Sequence, residues 1–504
     1  MFLGRILQLR PSQRTPISDI SYSHFFTTGS MEPQLQNFYD NPEIRTVFNI
    51  INTSTSSDSM KKSLEKSGVL IANDLIDGVL KRVRFRHSNP TRALEFFDIA
   101  ASRKGFYHTQ FSLDTILYVL GRGRRFEFCW RVLNDMRKKD HGLVTTKTLN
   151  VMLGRTAKVC SVDHTVACFW KFKRFFSKFD TSCFNALLRT LSQEKTMVDV
   201  RIVYHQFKHQ FQPDLQTFNI LLSGWKSSED AEEFFEEMKQ LGVKPDLVSY
   251  NCLIDVLCKN RELEKAYKII ETMKESDIYP DVFTYTSMIG GLGLIGQPDK
   301  ARDILKDMSE CGCYPDVAAY NAAIRNFCIA KRLPDGFRLM DEIVAKGMLP
   351  DSTTFNLFFR CFYWANDMNS SWELYRRMKS DGCLPNTQTC MFLLRLSRRH
   401  ENVDLAIELW NDMVEKGFGS LILASDVLFD LLCDLGKLAD AERCFMQMVD
   451  KNQKPSNVSF RRIKVLLELA GKMDSLTNLS EKMAMFGNSK HLNLPGGRPR
   501  KISR

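Results

Sequence analysis

The chain lacks the sequence marks of several catalytic classes. It has no phosphate-cradling GxxxxGK[ST], no HxE with a paired CxxC, and no compact acidic metal cluster. P-loop nucleotide hydrolysis, zinc-dependent deamination and metal-ion hydrolysis are therefore left without residues to perform them. Its fourteen cysteines show no paired metal spacing. Cys311 and Cys313 form a lone CxC, whereas Cys258, Cys328 and Cys433 share one phase of a repeat and read as small buried hydrophobes. Such usage fits a reducing, intracellular setting. No catalysis, cofactor, metal, small-molecule substrate or membrane partner is expected.

What is present is periodicity. Pro245, Pro280, Pro315, Pro350 and Pro385 lie 35 residues apart, as do Tyr250, Tyr285, Tyr320 and Phe355. Cutting at that period gives units 247–281, 282–316, 317–351 and 352–386, which align without a gap. In each, an aromatic-led apolar stretch is followed by a polar break and then a segment with helical apolar spacing, such as Ala266, Ile269, Ile270 and Met273. The spacing predicts helix, turn, helix. Ala266, Ala301, Gly336, Ser371, Ala406 and Ala441 also recur at 35, where small side chains let two helices approach closely. The proline near each unit's end cannot continue a helix, and the Asp or Asn after it is a good N-cap for the next one. A period of this length means an all-α stack that buries its core between neighbours.

Looser units extend the array. Units begin at Thr146 and Thr181, and the unit 215–246 has lost three residues around its helix–helix turn. Downstream, 387–421, 422–456 and 457 to about 491 complete an array of about ten to eleven repeats over 110–491, with degenerate ends expected to cap the stack. Residues 31–109 read as an N-terminal helical region with a partial repeat, NPTRALEFFDIAASRKG, and 492–504 as a basic tail.

Residues 1–30 carry Arg5, Arg10 and Arg14 with no acid before Asp19, are rich in Ser and Thr, and place Phe2, Leu3, Ile6 and Leu7 at amphipathic spacing. They resemble an organelle transit peptide, mitochondrial in type with chloroplast as the alternative. The net charge of +11 is concentrated: residues 91–180 hold seventeen Lys and Arg against eight Asp and Glu, including GRGRR at 121–125, MRKK at 136–139 and KFKR at 171–174. A basic stripe on a repeat array suits a phosphate backbone.

The unit VSYNCLIDVLCKNRELEKAYKIIETMKESDIYPD resembles the pentatricopeptide repeat, a 35-residue helical hairpin of organellar RNA-binding proteins of plant type. The resemblance covers roughly 110–490, and the uniform 35-residue length resembles the P-class subgroup. It implies a right-handed α-solenoid in which each repeat meets one nucleotide through its fifth and closing residues. Those pairs are Asn150 with Asp180, Asn185 with Asp214, Asn219 with Asp246, Asn251 with Asp281, Thr286 with Asp316, Asn321 with Asp351, and Asn356 with Asn386. In the family, Asn with Asp favours U, Thr with Asp favours G, and Asn with Asn favours C, so the resemblance implies the core 5′-UUUUGUC-3′.

Lys158 and Lys259 match the family's phosphate-contacting position, which Leu294 and Ile329 occupy in the next two repeats. The base-sandwiching second residue is Val248 in one unit but Gln216, Phe283, Ala318 and Thr353 elsewhere. Asp114 with Thr145, Met391 with Leu421, and Asp426 with Ser456 spell no assigned base. The expectation is a single-stranded RNA-binding adapter acting on transcript stability, processing, splicing or translation, alongside other organellar RNA-processing proteins. The alternative is a non-catalytic helical scaffold gripping a protein, for example at the mitochondrial ribosome.

Overall fold

The Pro-Asp punctuation of the sequence becomes the start of each hairpin. Asp214, Asp246, Asp281, Asp316 and Asp351 each take extended backbone and accept the N–H three residues on, as Asn386 does. A cap of this kind satisfies one of the orphan donors of a helix start and contributes about 1 kcal/mol. The computed structural model describes residues 41–487 apart from 86–87, 104–105 and 140–141. Among them are twenty-six α-helices, one 3-10 turn and no strand, an all-α repeat solenoid. The expected leader 1–30 and tail 492–504 lie outside the described residues.

Two units are distinguished, Met1–Asn260 with Lys268–Tyr279, and Arg261–Tyr267 with Pro280–Arg504. In the first, hairpins run from Pro42–Thr53 with Ser57–Lys66 and Asn73–Phe85 with Pro90–Ala101 through Gln110–Arg122, Thr146–Val159, Thr181–Glu194 and Leu215–Leu222, each with its second helix, to Leu247–Lys259. Each first helix packs on the first helix of the next hairpin. The partial repeat expected near 89–105 is thus a complete hairpin, preceded by another. The first helix absorbs more than the three-residue loss at 215–246: Leu215–Leu222 has 8 residues where Leu247–Lys259 has 13, and the connection to the second helix is longer, 223–227 against 260–262.

In the second unit the hairpins beginning at Val282, Val317, Ser352, Thr387, Leu421 and Asn457 stack in the same way. The small-residue row is fully buried where expected: Ala301, Ala406 and Ala441 are 0% exposed. Gly336 is glycine for a reason of space, because a Cβ there would stand 3.1 Å from Phe358, which Phe337 stacks upon. Second helices end on a left-handed residue; Gly312 has φ +77° and lets the Cys313 N–H reach back to Met308 O at 2.9 Å. Cys258 and Cys433 lie buried, burial pushing their thiols up to about 12 and about 11, and Cys328 is buried as well.

Candidate nucleic-acid interface

Within each unit, the fifth residue of a first helix and the N-cap of the following first helix are brought near each other, because successive first helices pack together. In four places one hydrogen bond joins them. Asn185 Nδ2 donates to Asp214 Oδ1 at 3.0 Å and Asn219 Nδ2 to Asp246 Oδ1 at 3.2 Å in the first unit. Asn321 Nδ2 donates to Asp351 Oδ1 at 3.3 Å and Asn356 Nδ2 to Asn386 Oδ1 at 3.1 Å in the second.

A third side chain completes each set. The residue three past the cap carries a hydroxyl, and it donates to the Asn carbonyl: Thr217 to Asn185 at 2.7 Å, Ser249 to Asn219 at 2.6 Å, Thr354 to Asn321 at 2.7 Å, and Thr389 to Asn356 at 2.8 Å. The same hydroxyl oxygen accepts the cap's own N–H, for example from Asp214 at 3.1 Å. These hydroxyls also recur near 35 in the sequence. Their cross-helix bond is a feature that the pattern alone does not disclose.

Polar satisfaction shapes the electrostatics. Burial alone would raise the Asp214 carboxyl, but hydrogen bonds from Asn185 and Thr217 outweigh it and hold the pKa below the ordinary value. At Asp246 burial is likewise overcome, by Ser249 and Asn219. Asp214 and Asp351 each keep a second oxygen, Oδ2, with no hydrogen-bond partner among the described residues, and Asn219, Asn321 and Asn356 each keep a spare amide N–H. Asn185 differs in also donating to Gln216 Oε1 at 3.3 Å.

Two further pairs, Thr286 with Asp316 and Asn150 with Asp180, are arranged differently. Thr286 turns its hydroxyl proton back to Val282 O at 2.7 Å, so its oxygen lone pairs face outward, and Asp316 caps Ala319 N at 2.8 Å. Residue 319 is alanine, so no hydroxyl is available there. Asn150 is exposed and no described hydrogen bond joins it to Asp180, which caps through Ser182 N at 3.1 Å; the residue three past that cap is Cys183. Asn251 is buried in the first unit, while Asp281 in the second caps Thr284 N at 2.9 Å. Asp114 and Asp426 take the same hydroxyl bond as the Asn residues, from Thr148 at 2.7 Å and Ser459 at 2.6 Å.

The five second-position side chains, Gln216, Val248, Phe283, Ala318 and Thr353, are all exposed. Lys158 faces Glu194 at 3.4 Å and Lys259 pairs with Asp255, exposed ion pairs of the weak surface kind. Residue 364 shares their phase and is a Trp, 75% exposed. Arg399 shares it too and stacks on the Tyr363 ring at 4.0 Å. Counting 35 onward from Lys259 leads to both.

The basic segment divides between the two helix layers. On first helices, Tyr118 lies between the guanidinium groups of Arg84 at 4.1 Å and Arg155 at 4.3 Å, with Arg122 alongside donating to Arg84 O at 2.5 Å. Burial lowers the Arg122 pKa, and the neighbouring Arg155 and Arg84 charges lower it further against Tyr118. On second helices and the 3-10 turn Lys173–Phe175, Lys171 and Arg174 lie over Trp130, and Arg137 and Arg174 over Phe175.

Stacked helical hairpins carrying one polar pair at a constant register define the class: an α-helical tandem-repeat protein. Models of the PPR repeat family match residues 225–259, 245–293 and 315–363, and models of the PPR repeat match 283–313, 353–383, 389–418 and 426–453. A pentatricopeptide repeat-containing protein of Arabidopsis thaliana is 66% identical over 468 residues, 93% of this chain and 95% of that protein. The chain belongs to the pentatricopeptide repeat family. Another Arabidopsis thaliana member, named as mitochondrial, is 30% identical over 213 residues, 42% of this chain and 37% of its own length. The crystal structure of the maize pentatricopeptide repeat protein PPR10 is 16% identical, with a TM-score of 0.40 over 89% of this chain and 73% of that one. A second crystal structure of PPR10, in complex with an 18-nt psaJ RNA element, is 18% identical, with a TM-score of 0.37 over 88% of this chain and 79% of that one.

Proposed function

We propose that the protein is a P-class adapter that binds single-stranded RNA in mitochondria, reading one base per repeat with the core 5′-UUUUGUC-3′. The observation that carries this reading is the repeated polar pair with one donor and one acceptor left over. An Asn N–H beside a carboxylate oxygen matches uracil, which offers the O4 acceptor next to the N3–H donor. In the pair of Thr286 and Asp316 both outward groups are acceptors, which suits the N1–H and N2–H donors of guanine. Asn386 has an amide where the others have Oδ2; that amide donates to Ser352 Oγ at 3.1 Å and keeps a second N–H, a donor suited to cytosine N3.

Mitochondrial names among the relatives and the arginine-containing leader, with no acid before Asp19, support the compartment. The Tyr118 cluster of arginines supports a backbone path. Base selectivity and occupancy of a transcript site are the whole of the activity proposed. Selection of a random RNA pool on the purified chain tests it, at near-physiological salt because backbone contacts are salt-sensitive. Enrichment of a U-rich core with G after four pyrimidines is expected. No enrichment from a folded chain would overturn the reading and turn attention to a protein-gripping scaffold.

A further inference from the structure

We propose that the hydroxyl three residues past each N-cap is a positioning residue for base choice, acting through the fifth-residue Asn of the preceding repeat. The inference rests on the base-reading function above and deepens it. Its basis is a bond that recurs in both units: Thr148, Thr217, Ser249, Thr354, Thr389 and Ser459 each donate across to the fifth residue, at 2.6–2.8 Å. A hydroxyl has a single proton to give. In the repeat of Asn321 the Thr354 oxygen already accepts the Asp351 N–H at 3.2 Å, and its nearest acceptor is Asn321 Oδ1 at 2.7 Å, against 2.9 Å for Asp351 Oδ1. That carboxylate oxygen in turn takes the Thr354 N–H at 2.8 Å and the Asn321 amide at 3.3 Å.

The amide of Asn321 is thereby held at both ends. Its carbonyl is tied to a donor and its NH2 to an acceptor, so a flip would set carbonyl against carboxylate. Held this way, the outward atom of the amide is always a donor, which donates to uracil O4 and opposes the amino group of cytosine. Without the hydroxyl only the carboxylate orients the amide, and the outward atom is no longer fixed.

Three repeats of the array lack the hydroxyl, and each is irregular at the fifth residue: one, with Leu423 three past the Ser420 cap, has Met391 there. With Ala319 in that place, residue 286 is a Thr that bonds its own helix instead. With Cys183 in that place, Asn150 stands exposed and unjoined to Asp180. The first base of the core is therefore the least discriminated of those assigned to an Asn and Asp pair.

The test measures equilibrium binding of the full chain to 5′-UUUUGUC-3′ RNAs that differ at one nucleotide. For Thr354→Val the preference for U over C at the sixth nucleotide falls about fivefold, the worth of one net hydrogen bond, while preferences elsewhere are unchanged. Thr354→Ser retains the native preference. Conversely, Cys183→Ser raises the U over C preference at the first nucleotide by a similar factor. A purely structural hydroxyl would weaken binding to every RNA alike. That result for Thr354→Val, or an unchanged sixth-position preference, overturns the positioning role while leaving base reading intact. A wild-type chain that binds all these RNAs equally overturns base reading and the positioning role together.

Discussion

Asp351→Asn separates reading from folding within a single atom change. Asp351 caps the helix Ser352–Ala365 through the Thr354 N–H at 2.8 Å and meets Asn321 through the same oxygen, Oδ1. Its Oδ2 is the atom that the substitution converts to an amide. The next repeat already contains the product: Asn386 caps Thr389 N at 3.0 Å and accepts from Asn356 at 3.1 Å with its carbonyl oxygen. Asn and Asp are near-equal caps, so stability is expected to change by less than about 0.5 kcal/mol. Binding changes more, because uracil N3–H loses a charged acceptor worth about 1.5–3 kcal/mol and cytosine N3 gains a donor. The ratio of affinities for C and U at the sixth nucleotide is expected to swing by at least about tenfold. Paired RNAs differing only there, titrated against both proteins, give the ratio; a thermal melt gives the stability. An Asp351→Asn chain that melts normally and still prefers U as strongly as wild type would refute the donor-and-acceptor reasoning.

Other consequences follow from the same geometry. Gly293→Ala would put a Cβ 1.8 Å from Asn326 Oδ1, whose amide is buried and bonded to Ile289 O at 2.6 Å; a loss of about 2–3 kcal/mol is expected in denaturant unfolding, partly recovered by adding Asn326→Ala. Thr286→Asn is expected to move the fifth nucleotide from G towards U, and further when Ala319→Thr supplies the missing hydroxyl, as paired RNA titrations would show. Because Asp214 and Asp246 have depressed folded pKa values, their contribution is present above the unfolded value near 3.8 and lost only as pH falls through the lower folded one. U preference at the second and third nucleotides should therefore be flat from pH 7.5 to 5 in filter binding. Replacing Arg84 and Arg155 by Gln should weaken all RNAs alike and reduce the slope of log affinity against log salt by about 0.7 per contact.

The hairpins were legible because punctuation and packing repeat together: Pro-Asp pairs mark helix starts, and the Ala266 to Ala441 row marks the close approach. Less legible was the shortening of Leu215–Leu222, since a three-residue deletion does not say which helix gives way. The helix Pro42–Thr53 had no Pro-Asp before it; Asn41 capping Glu43 N at 2.9 Å with Pro42 following was its local signal. Among the candidate site residues, side-by-side placement of Asn185, Asn219, Asn321 and Asn356 with their closing partners follows from the register. The isolation of Asn150 does not, because it depends on a hydroxyl absent from Cys183, one repeat away in sequence. Lys158 and Lys259 were visible as charges, but only geometry shows each facing an acid on its own hairpin stack.

The closing residue of each repeat from 146 to 386 has two employers. It must begin a helix, and in the proposed function it must also face a base. Only a short side chain with an oxygen near the backbone can do the first, so the vocabulary open to that position is confined in practice to Asp, Asn, Ser and Thr. Within that vocabulary a substitution leaves the architecture standing. A lineage carrying this array can therefore exchange one message for another, letter by letter, through intermediates that all fold.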